Sequence, residues 1–69
     1  MTTEEILTAG AMALYRAENQ YRVEEFAKGS DPQAAIAADF EQYRSRYTRK
    51  FADFRASLAA MGLTVTKAA

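Results

Sequence analysis

Residues 43–55 read "YRSRYTRKFADFR" and combine five positive charges with four aromatic rings. On a helix, at about 100° per residue, all four rings fall on one side of the axis together with apolar residues from both flanks. This aromatic stripe covers an arc of roughly 80° and comprises Ile36, Phe40, Tyr43, Tyr47, Phe51, Phe54, Leu58 and Met61. Burying such side chains at roughly 1.5 to 3 kcal/mol each outweighs stacking single bases on exposed rings. We therefore predict that the rings form the core of a helical protein.

The residues before this stripe predict a first helix. Thr2 and Glu5 have the spacing of a capping box, in which each side chain accepts a hydrogen bond from a free backbone NH at a helix start. Gly29 suits the left-handed conformation that often ends a helix. These signals predict the first helix over residues 3–28.

The second helix carries the aromatic stripe. Asp31 is a favourable capping residue, and Pro32 suits the first helical position because its φ angle is already fixed. Gly62 and the leucine after it are typical of a Schellman ending. We predict the second helix over residues 32–61, a turn at 29–31 and a mobile tail at 62–69.

A short turn between two long helices predicts an all-α fold, an antiparallel two-helix hairpin that makes the whole chain, residues 1–69, one domain. A chain of 69 residues rarely buries enough apolar surface to be stable alone. It contains no cysteine and no histidine, so a disulfide and the usual zinc sites are excluded as supports. We therefore predict a homodimer in which two hairpins form an assembly similar to a four-helix bundle.

The first predicted helix is apolar on two sides. Its first stripe, predicted to form core or dimer contacts, consists of Ile6, Leu7, Gly10, Leu14, Ala17 and Tyr21, with Ala13 at the edge. Its second stripe, predicted to bind a partner, consists of Met12, Tyr15, Asn19, Val23 and Phe26. A hairpin covers only one side, and methionine and aromatic side chains are typical interface anchors. The alternative is a dimer that buries both stripes. The small residues 8–13, TAGAMA, would admit a close neighbouring helix or are ordinary helix filler.

Charge is divided unevenly along a chain whose nine acids and nine bases cancel. Residues 1–31 contain six acids and three bases, whereas residues 32–69 contain three acids and six bases, so the two helices attract each other. Antiparallel partners whose numbers add to about 60 give the predicted ion pairs, which are Glu18–Arg44, Arg22–Asp39 and Glu5–Arg55. Arg46, Arg49 and Lys50 have no predicted acidic neighbour and form a candidate basic patch for a partner.

Several function classes are disfavoured by composition. The usual proton shuttle and thiol nucleophile are missing, and the three glycines stand apart, so no catalytic, cofactor-binding or metal-binding residue and no small-molecule substrate are predicted. A net charge of zero argues against nucleic acid as the main partner. No apolar run approaches the roughly 20 residues of a membrane span, and the acidic opening is unlike a secretory signal. We expect a non-enzymatic cytosolic protein.

Two known groups of proteins are similar to this chain. Its length, its "MTTEEIL" opening, its "KGSDPQ" turn and its aromatic second helix resemble the small quorum-sensing anti-activators made early by temperate phages. This resemblance implies a dimer that binds a host LuxR-type transcription regulator and blocks its DNA binding, with the type IV pilus assembly ATPase as a second target. The site residues given above come from the stripe and charge patterns alone.

The second resemblance is architectural. Two helices joined by a tight polar turn are similar to the small plasmid copy-control hairpins, which dimerise into four-helix bundles and bind paired RNA loops. That alternative predicts salt-dependent RNA binding through the basic patch. A third class, a passive assembly subunit, predicts self-association beyond a dimer.

Overall fold

The computed structural model describes residues 2–66 of the chain, and these residues are all-helical. They form α1 (Thr3–Glu18), α2 (Gln20–Ala27) and α3 (Pro32–Ala60), with no strand in this part of the chain. The all-α prediction is confirmed. Residues 62–66 of the predicted tail have no helix, and residues 67–69 lie outside the described residues.

The first predicted helix is divided at Asn19, which corrects the continuous helix expected over 3–28. The backbone of Asn19 leaves helical geometry at φ −124° and ψ 37°. Its side chain explains the break, because Nδ2 donates hydrogen bonds to the Tyr15 carbonyl at 2.8 Å and to the Tyr47 hydroxyl at 3.0 Å. Asparagine often competes in this way with the helix backbone.

Both predicted helix starts are confirmed. The Thr2 hydroxyl accepts a hydrogen bond from the backbone NH of Glu5 at 3.2 Å, which caps α1. A carboxylate oxygen of Asp31 accepts one from the backbone NH of Ala34 at 3.2 Å, and Pro32 occupies the first position of α3. Each cap satisfies an NH group that has no partner inside its helix.

Of the two predicted helix endings, the one at Gly62 agrees with the structure and the one at Gly29 does not. The Schellman ending of α3 is confirmed, because Gly62 has a φ of +82° and the Leu63 NH donates to the Leu58 carbonyl at 2.9 Å. The left-handed conformation predicted for Gly29 is wrong, since Gly62 alone has a positive φ among residues 2–66. The chain instead leaves α2 through tight turns, in which the Gly29 NH donates to the Phe26 carbonyl at 3.0 Å.

The helices α1 and α2 pack along α3 in the opposite chain direction. Gly10 contacts Phe51, and further along the chain Arg22 contacts Asp39, so rising numbers in α1 and α2 meet falling numbers in α3. The central core cluster consists of Ala11, Tyr15, Ile36, Phe40 and Tyr47. Partly buried side chains packed around it are Met12, Leu14, Val23, Phe26 and Tyr43.

The aromatic stripe of α3 is buried over only part of its length. Ile36, Phe40, Tyr47 and Phe51 are buried, and Tyr43 and Leu58 are partly buried. The whole stripe was predicted to form core or dimer contacts, and in the single chain Phe54 is 51% exposed and Met61 is 75% exposed. Phe51 is therefore the last residue of the stripe that the single chain buries.

Gly10 permits a close approach between α1 and the Phe51 ring of α3. A Cβ atom built on Gly10 would overlap the ring of Phe51, so the ring occupies the space that any larger residue would fill. The expectation that the small residues 8–13 admit a neighbouring helix is confirmed at this position. Any side chain at position 10 has to displace a buried aromatic ring.

Candidate functional site

Tyr15 lies at the centre of the contact between α1 and α3. Its relative exposure is 0%, and it is the largest fully buried side chain among residues 2–66. Its ring meets the ring of Phe40 edge-on at 5.6 Å between centroids, and that of Tyr47 edge-on at 5.9 Å. Such edge-to-face pairs are favourable because a positive ring edge faces a negative ring face. Tyr15 therefore joins the two helices through its ring.

Tyr15 is also hydrogen-bonded to an acid. Its hydroxyl donates to one carboxylate oxygen of Asp39 at 2.5 Å, and the other oxygen accepts from the guanidinium of Arg22 at 2.5 Å. The guanidinium carbon of Arg22 lies 5.6 Å from the centre of the Tyr43 ring, within range of a cation–π contact. This chain of contacts connects α1, α2 and α3 through a single carboxylate.

A second set of polar contacts lies near the break between α1 and α2. The Asn19 amide donates to the Tyr47 hydroxyl, as described above. The ammonium of Lys50 binds a carboxylate oxygen of Glu18 at 2.7 Å and lies 5.9 Å from the centre of the Tyr47 ring. The break is thus held against α3 by one amide and one ion pair.

The pKa values of Tyr15 and Asp39 are shifted in the directions that preserve their hydrogen bond. Burial is the largest factor that raises the pKa of Tyr15 to about 12, and the hydrogen bond to Asp39 adds to it. Burial acts to raise the pKa of Asp39 as well, but the hydrogen bonds from Tyr15 and Arg22 outweigh it and lower that pKa. At neutral pH the phenol is a neutral donor and the carboxylate an ionised acceptor, which suits a stable bond between helices.

The raised pKa of Tyr15 predicts a loss of stability at alkaline pH. A pKa of 10.0 in the unfolded chain and about 12 in the folded chain means that the neutral phenol favours folding. This stabilisation is fully present below pH 10 and is expected to decline as the pH rises towards 12. The measurement is the free energy of unfolding against pH, with Tyr15→Phe as the control that lacks the ionisable group. Equal declines in both proteins would contradict the prediction.

The second stripe of the first predicted helix packs inside the chain, which corrects its assignment as an exposed docking face. Tyr15 is fully buried, and Met12, Asn19, Val23 and Phe26 are partly buried. Each stripe supplies contacts with α3, since Gly10 of the first lies under Phe51 and Tyr15 of the second lies against Phe40. Ala11, between the stripes, is fully buried and marks the true centre of the contact.

The first stripe is partly exposed on the single chain. Tyr21, predicted to form core or dimer contacts, is 88% exposed and is not in the core, and Ala13 and Ala17 are exposed as well. Ile6, Leu7 and Leu14 of the same stripe are partly buried. The contact with α3 runs along the side of α1 that carries Ala11 and Tyr15, so Ala13 and Ala17 lie outside it. The asparagine inside an apolar stripe was the sequence signal for the break at Asn19.

Tyr21 stands beside two shallow hollows on the surface. One has a volume of about 260 Å³ and is lined by Arg16, Ala17, Gln20, Val23 and Glu24. The other has a volume of about 180 Å³ and is lined by Gln20, Tyr21 and Glu24. We call these six residues the Tyr21 surface. It combines the exposed ring of Tyr21 with the partly buried side chain of Val23. Arg16 and Glu24 add one positive and one negative charge.

The candidate basic patch is smaller than expected. Lys50 pairs with Glu18, so its prediction as an unpaired cation is wrong, whereas Arg46 and Arg49 make no ion pair with other residues in 2–66. The two arginines lie on an open groove of about 480 Å³ that Lys50, Ser45 and Asp53 also line.

The predicted ion pairs have mixed outcomes. The Arg22–Asp39 pair is confirmed. The predicted Glu18–Arg44 pair is wrong, because Arg44 instead binds Glu41 at 2.7 Å, one turn earlier on α3. The predicted Glu5–Arg55 pair is not among the ion pairs of residues 2–66 either.

Residues 2–66 contain no group of three or more acidic, cysteine or histidine side chains placed to hold a metal ion. Within the same part of the chain, no helix has both the length and the apolar character needed to cross a membrane. Comparisons of the chain with protein-family models, with curated proteins and with solved structures found no match.

Proposed function

We propose that this chain is a non-catalytic inhibitor that acts by binding another protein. The observation that carries the proposal is the position of Tyr21, a large aromatic side chain that is 88% exposed and is not part of the core cluster. Tyrosine is one of the residues most often found to dominate the binding energy of protein interfaces. An exposed aromatic ring on a helix therefore favours docking on a protein partner.

The surroundings of Tyr21 fit such a partner. The hollows on the Tyr21 surface have a partly apolar floor, and Arg16 and Glu24 supply charges of both signs at the rim. An apolar centre with a polar rim is the usual arrangement of a protein interface. Binding here needs no covalent chemistry, only complementary shape and charge.

The proposed assembly is a homodimer of helical hairpins similar to a four-helix bundle. It is supported by the exposed apolar side chains near the end of α3, which are Phe54, Met61 and Leu63. A contiguous apolar surface of more than a few hundred Å² is unusual on a soluble monomer. A dimer removes part of this surface from water and leaves the Tyr21 surface for a second protein.

The proposed partner follows from the resemblance to the phage anti-activators. The partner would be a LuxR-type transcription regulator in the cytoplasm of a bacterial host, which loses its DNA when the dimer binds it. The type IV pilus assembly ATPase is proposed as a second target. For this role a small protein needs only to occupy the regulator surface at a concentration above that of the regulator.

The RNA-binding alternative is supported less well. Its phosphate contacts would come from Arg46, Arg49 and Lys50, but Lys50 is already paired with Glu18. Two arginines on a chain of zero net charge give a weak field for a polyanion. Docking on a protein therefore remains the better supported proposal.

The test is a DNA-binding assay with a purified LuxR-type regulator and its operator. Adding the wild-type chain is expected to release the DNA at a stoichiometric concentration. Tyr21→Ala removes the exposed ring, and we expect it to raise the concentration needed for half release at least about 10-fold, which corresponds to about 1.4 kcal/mol of binding energy.

Gln42→Ala is the control, since it alters an exposed polar residue of α3 that belongs to neither the Tyr21 surface nor the exposed apolar end of α3. It is expected to behave as wild type. Retention of the operator at all concentrations of the wild-type chain would reject the regulator as a target. Equal inhibition by wild type and Tyr21→Ala would reject the Tyr21 surface.

A further inference from the structure

The aromatic stripe of α3 is covered by α1 only as far as Phe51. The contact of Gly10 with Phe51 sets the register of the two helices, so the first turn of α1 lies beside the last turns of α3. Beyond this point Phe54 is 51% exposed and Met61 is 75% exposed. The core of the single chain therefore ends before the apolar stripe does.

The Schellman ending adds a further apolar side chain to this end of the molecule. The Leu63 NH donates to the Leu58 carbonyl, which returns the chain towards the last turn of α3, and the Leu63 side chain is 51% exposed. We call Phe54, Leu58, Met61 and Leu63 the open-end patch. Phe54, Leu58 and Met61 continue the same helical face as the buried rings of Tyr47 and Phe51.

The size of the open-end patch suits an interface between two copies. At roughly 200 Å² for each fully exposed large side chain, the exposed parts of Phe54, Met61 and Leu63 sum to roughly 350 Å² in one copy. Two copies facing each other would bury roughly 700 Å² from these residues alone, close to half of a standard interface of about 1,600 Å². The partly buried Ile6 and Leu7 at the start of α1 extend the surface.

This end of the molecule carries both acidic and basic side chains, so the same surface on two copies can attract. Glu4 and Glu5 lie in the first turn of α1, and Arg55 lies on α3 next to Phe54. A two-fold axis brings the same surface of each copy against the other, so acids of one copy can face the arginine of the second. A surface with charges of only one sign would repel the same surface of a second copy, whereas a surface with both signs avoids this repulsion.

We propose that the open-end patch is the homodimer interface, with a second copy of the chain as its occupant. Pairing there continues the aromatic stripe of each copy into a shared core, which is typical of permanent homodimer interfaces. The Tyr21 surface is on α2, whose Arg22 contacts Asp39 near the other end of α3, so each copy keeps its Tyr21 surface free. This inference rests on the dimer of the proposed function and assigns its interface.

The first experiment is sedimentation of Met61→Glu, which places a charge in the proposed interface. The dimer dissociation constant is expected to rise at least about 100-fold, since burying an unpaired carboxylate is strongly unfavourable. Tyr21→Glu is the matched control, because it places the same charge at the most exposed large apolar residue outside the patch. Its dissociation constant is expected to stay within about 2-fold of wild type.

The second experiment uses the absence of cysteine from the chain. Single variants Phe54→Cys and Tyr21→Cys are treated with a water-soluble maleimide over a range of protein concentrations. Labelling of Phe54→Cys is expected to slow at least about 5-fold as the dimer forms, whereas labelling of Tyr21→Cys stays constant. The labelling rate measures whether position 54 becomes inaccessible when the dimer forms. It does not depend on whether Met61→Glu folds correctly.

The outcomes separate this inference from the proposed function. A wild-type chain that stays monomeric at all concentrations removes the dimer from the proposed function and this interface with it. A wild-type dimer in which position 54 labels at the same rate at every concentration overturns the interface alone. If the Met61→Glu protein remains dimeric but no longer binds the regulator, the open-end patch is a binding site for the regulator. That result would also overturn the proposed dimer interface.

Discussion

Tyr15→Ala is expected to lower the free energy of unfolding by about 3 to 5 kcal/mol, the usual loss for removing a buried aromatic ring. The ring is fully buried and makes edge-on contacts with Phe40 and Tyr47. A chain of this length has a total stability of roughly 3 to 10 kcal/mol, so the variant should be largely unfolded or close to it. Thermal and urea unfolding followed by circular dichroism measure the change at one fixed protein concentration.

Two matched variants separate the contributions of the ring and the hydroxyl. Tyr15→Phe keeps the ring contacts but removes a hydrogen bond to the ionised Asp39, and we expect a smaller loss of about 1.5 to 3 kcal/mol. Tyr21→Ala deletes the same side chain from an exposed position, and its effect should stay within about 0.5 kcal/mol. Similar losses for Tyr15→Ala and Tyr21→Ala would show that the core is not centred on Tyr15.

Gly10→Ala is expected to destabilise the protein although alanine is the better helix former. Alanine in place of glycine inside a helix contributes about 1 kcal/mol, but the added methyl group overlaps the Phe51 ring. Overpacking of this kind costs about 1 to 3 kcal/mol, so we expect a net loss of up to about 2 kcal/mol. Urea unfolding of the two proteins gives the difference.

A double-mutant cycle with Phe51→Ala tests the cause of that loss. Without the ring there is room for the methyl group, so Gly10→Ala should become stabilising by about 1 kcal/mol in this background. The reverse change at an exposed site of α1, Ala9→Gly, should cost about the same amount through helix propensity alone. If Gly10→Ala has the same effect with and without the ring, close packing of Phe51 is not what requires glycine.

Local signals in the sequence were reliable wherever a short segment decides the outcome. Thr2, Asp31 and Gly62 each act through hydrogen bonds within five residues, and all three positions have the predicted structure. The exception was Gly29, where the turn after α2 satisfied the backbone without a positive φ. The all-α class followed from the same local patterns, since helix periodicity needs no knowledge of distant contacts.

The candidate site was predicted less well because it depends on which sides of two helices meet. Residue spacing showed that the first predicted helix is apolar on two sides, but α3 lies between the two stripes and contacts both. Tyr15 therefore lies in the core and not on the expected docking face, and Tyr21, which was predicted to form core or dimer contacts, is exposed on the single chain. The basic patch lost Lys50 in the same way, because Glu18 reaches it across the helix contact.

The sequence alone determined the helical class, the start of α1, the bounds of α3 to within one residue, and the aromatic stripe, because these features follow from periodicity and from hydrogen bonds between near neighbours. Only the tertiary structure decided the break at Asn19, the burial of Tyr15 and the exposure of the end of the stripe. The physical reason is that these features depend on distant partners. Asn19 binds the Tyr47 hydroxyl, Tyr15 binds Asp39, and the exposure of Phe54 depends on how far along α3 the side chains of α1 cover the stripe.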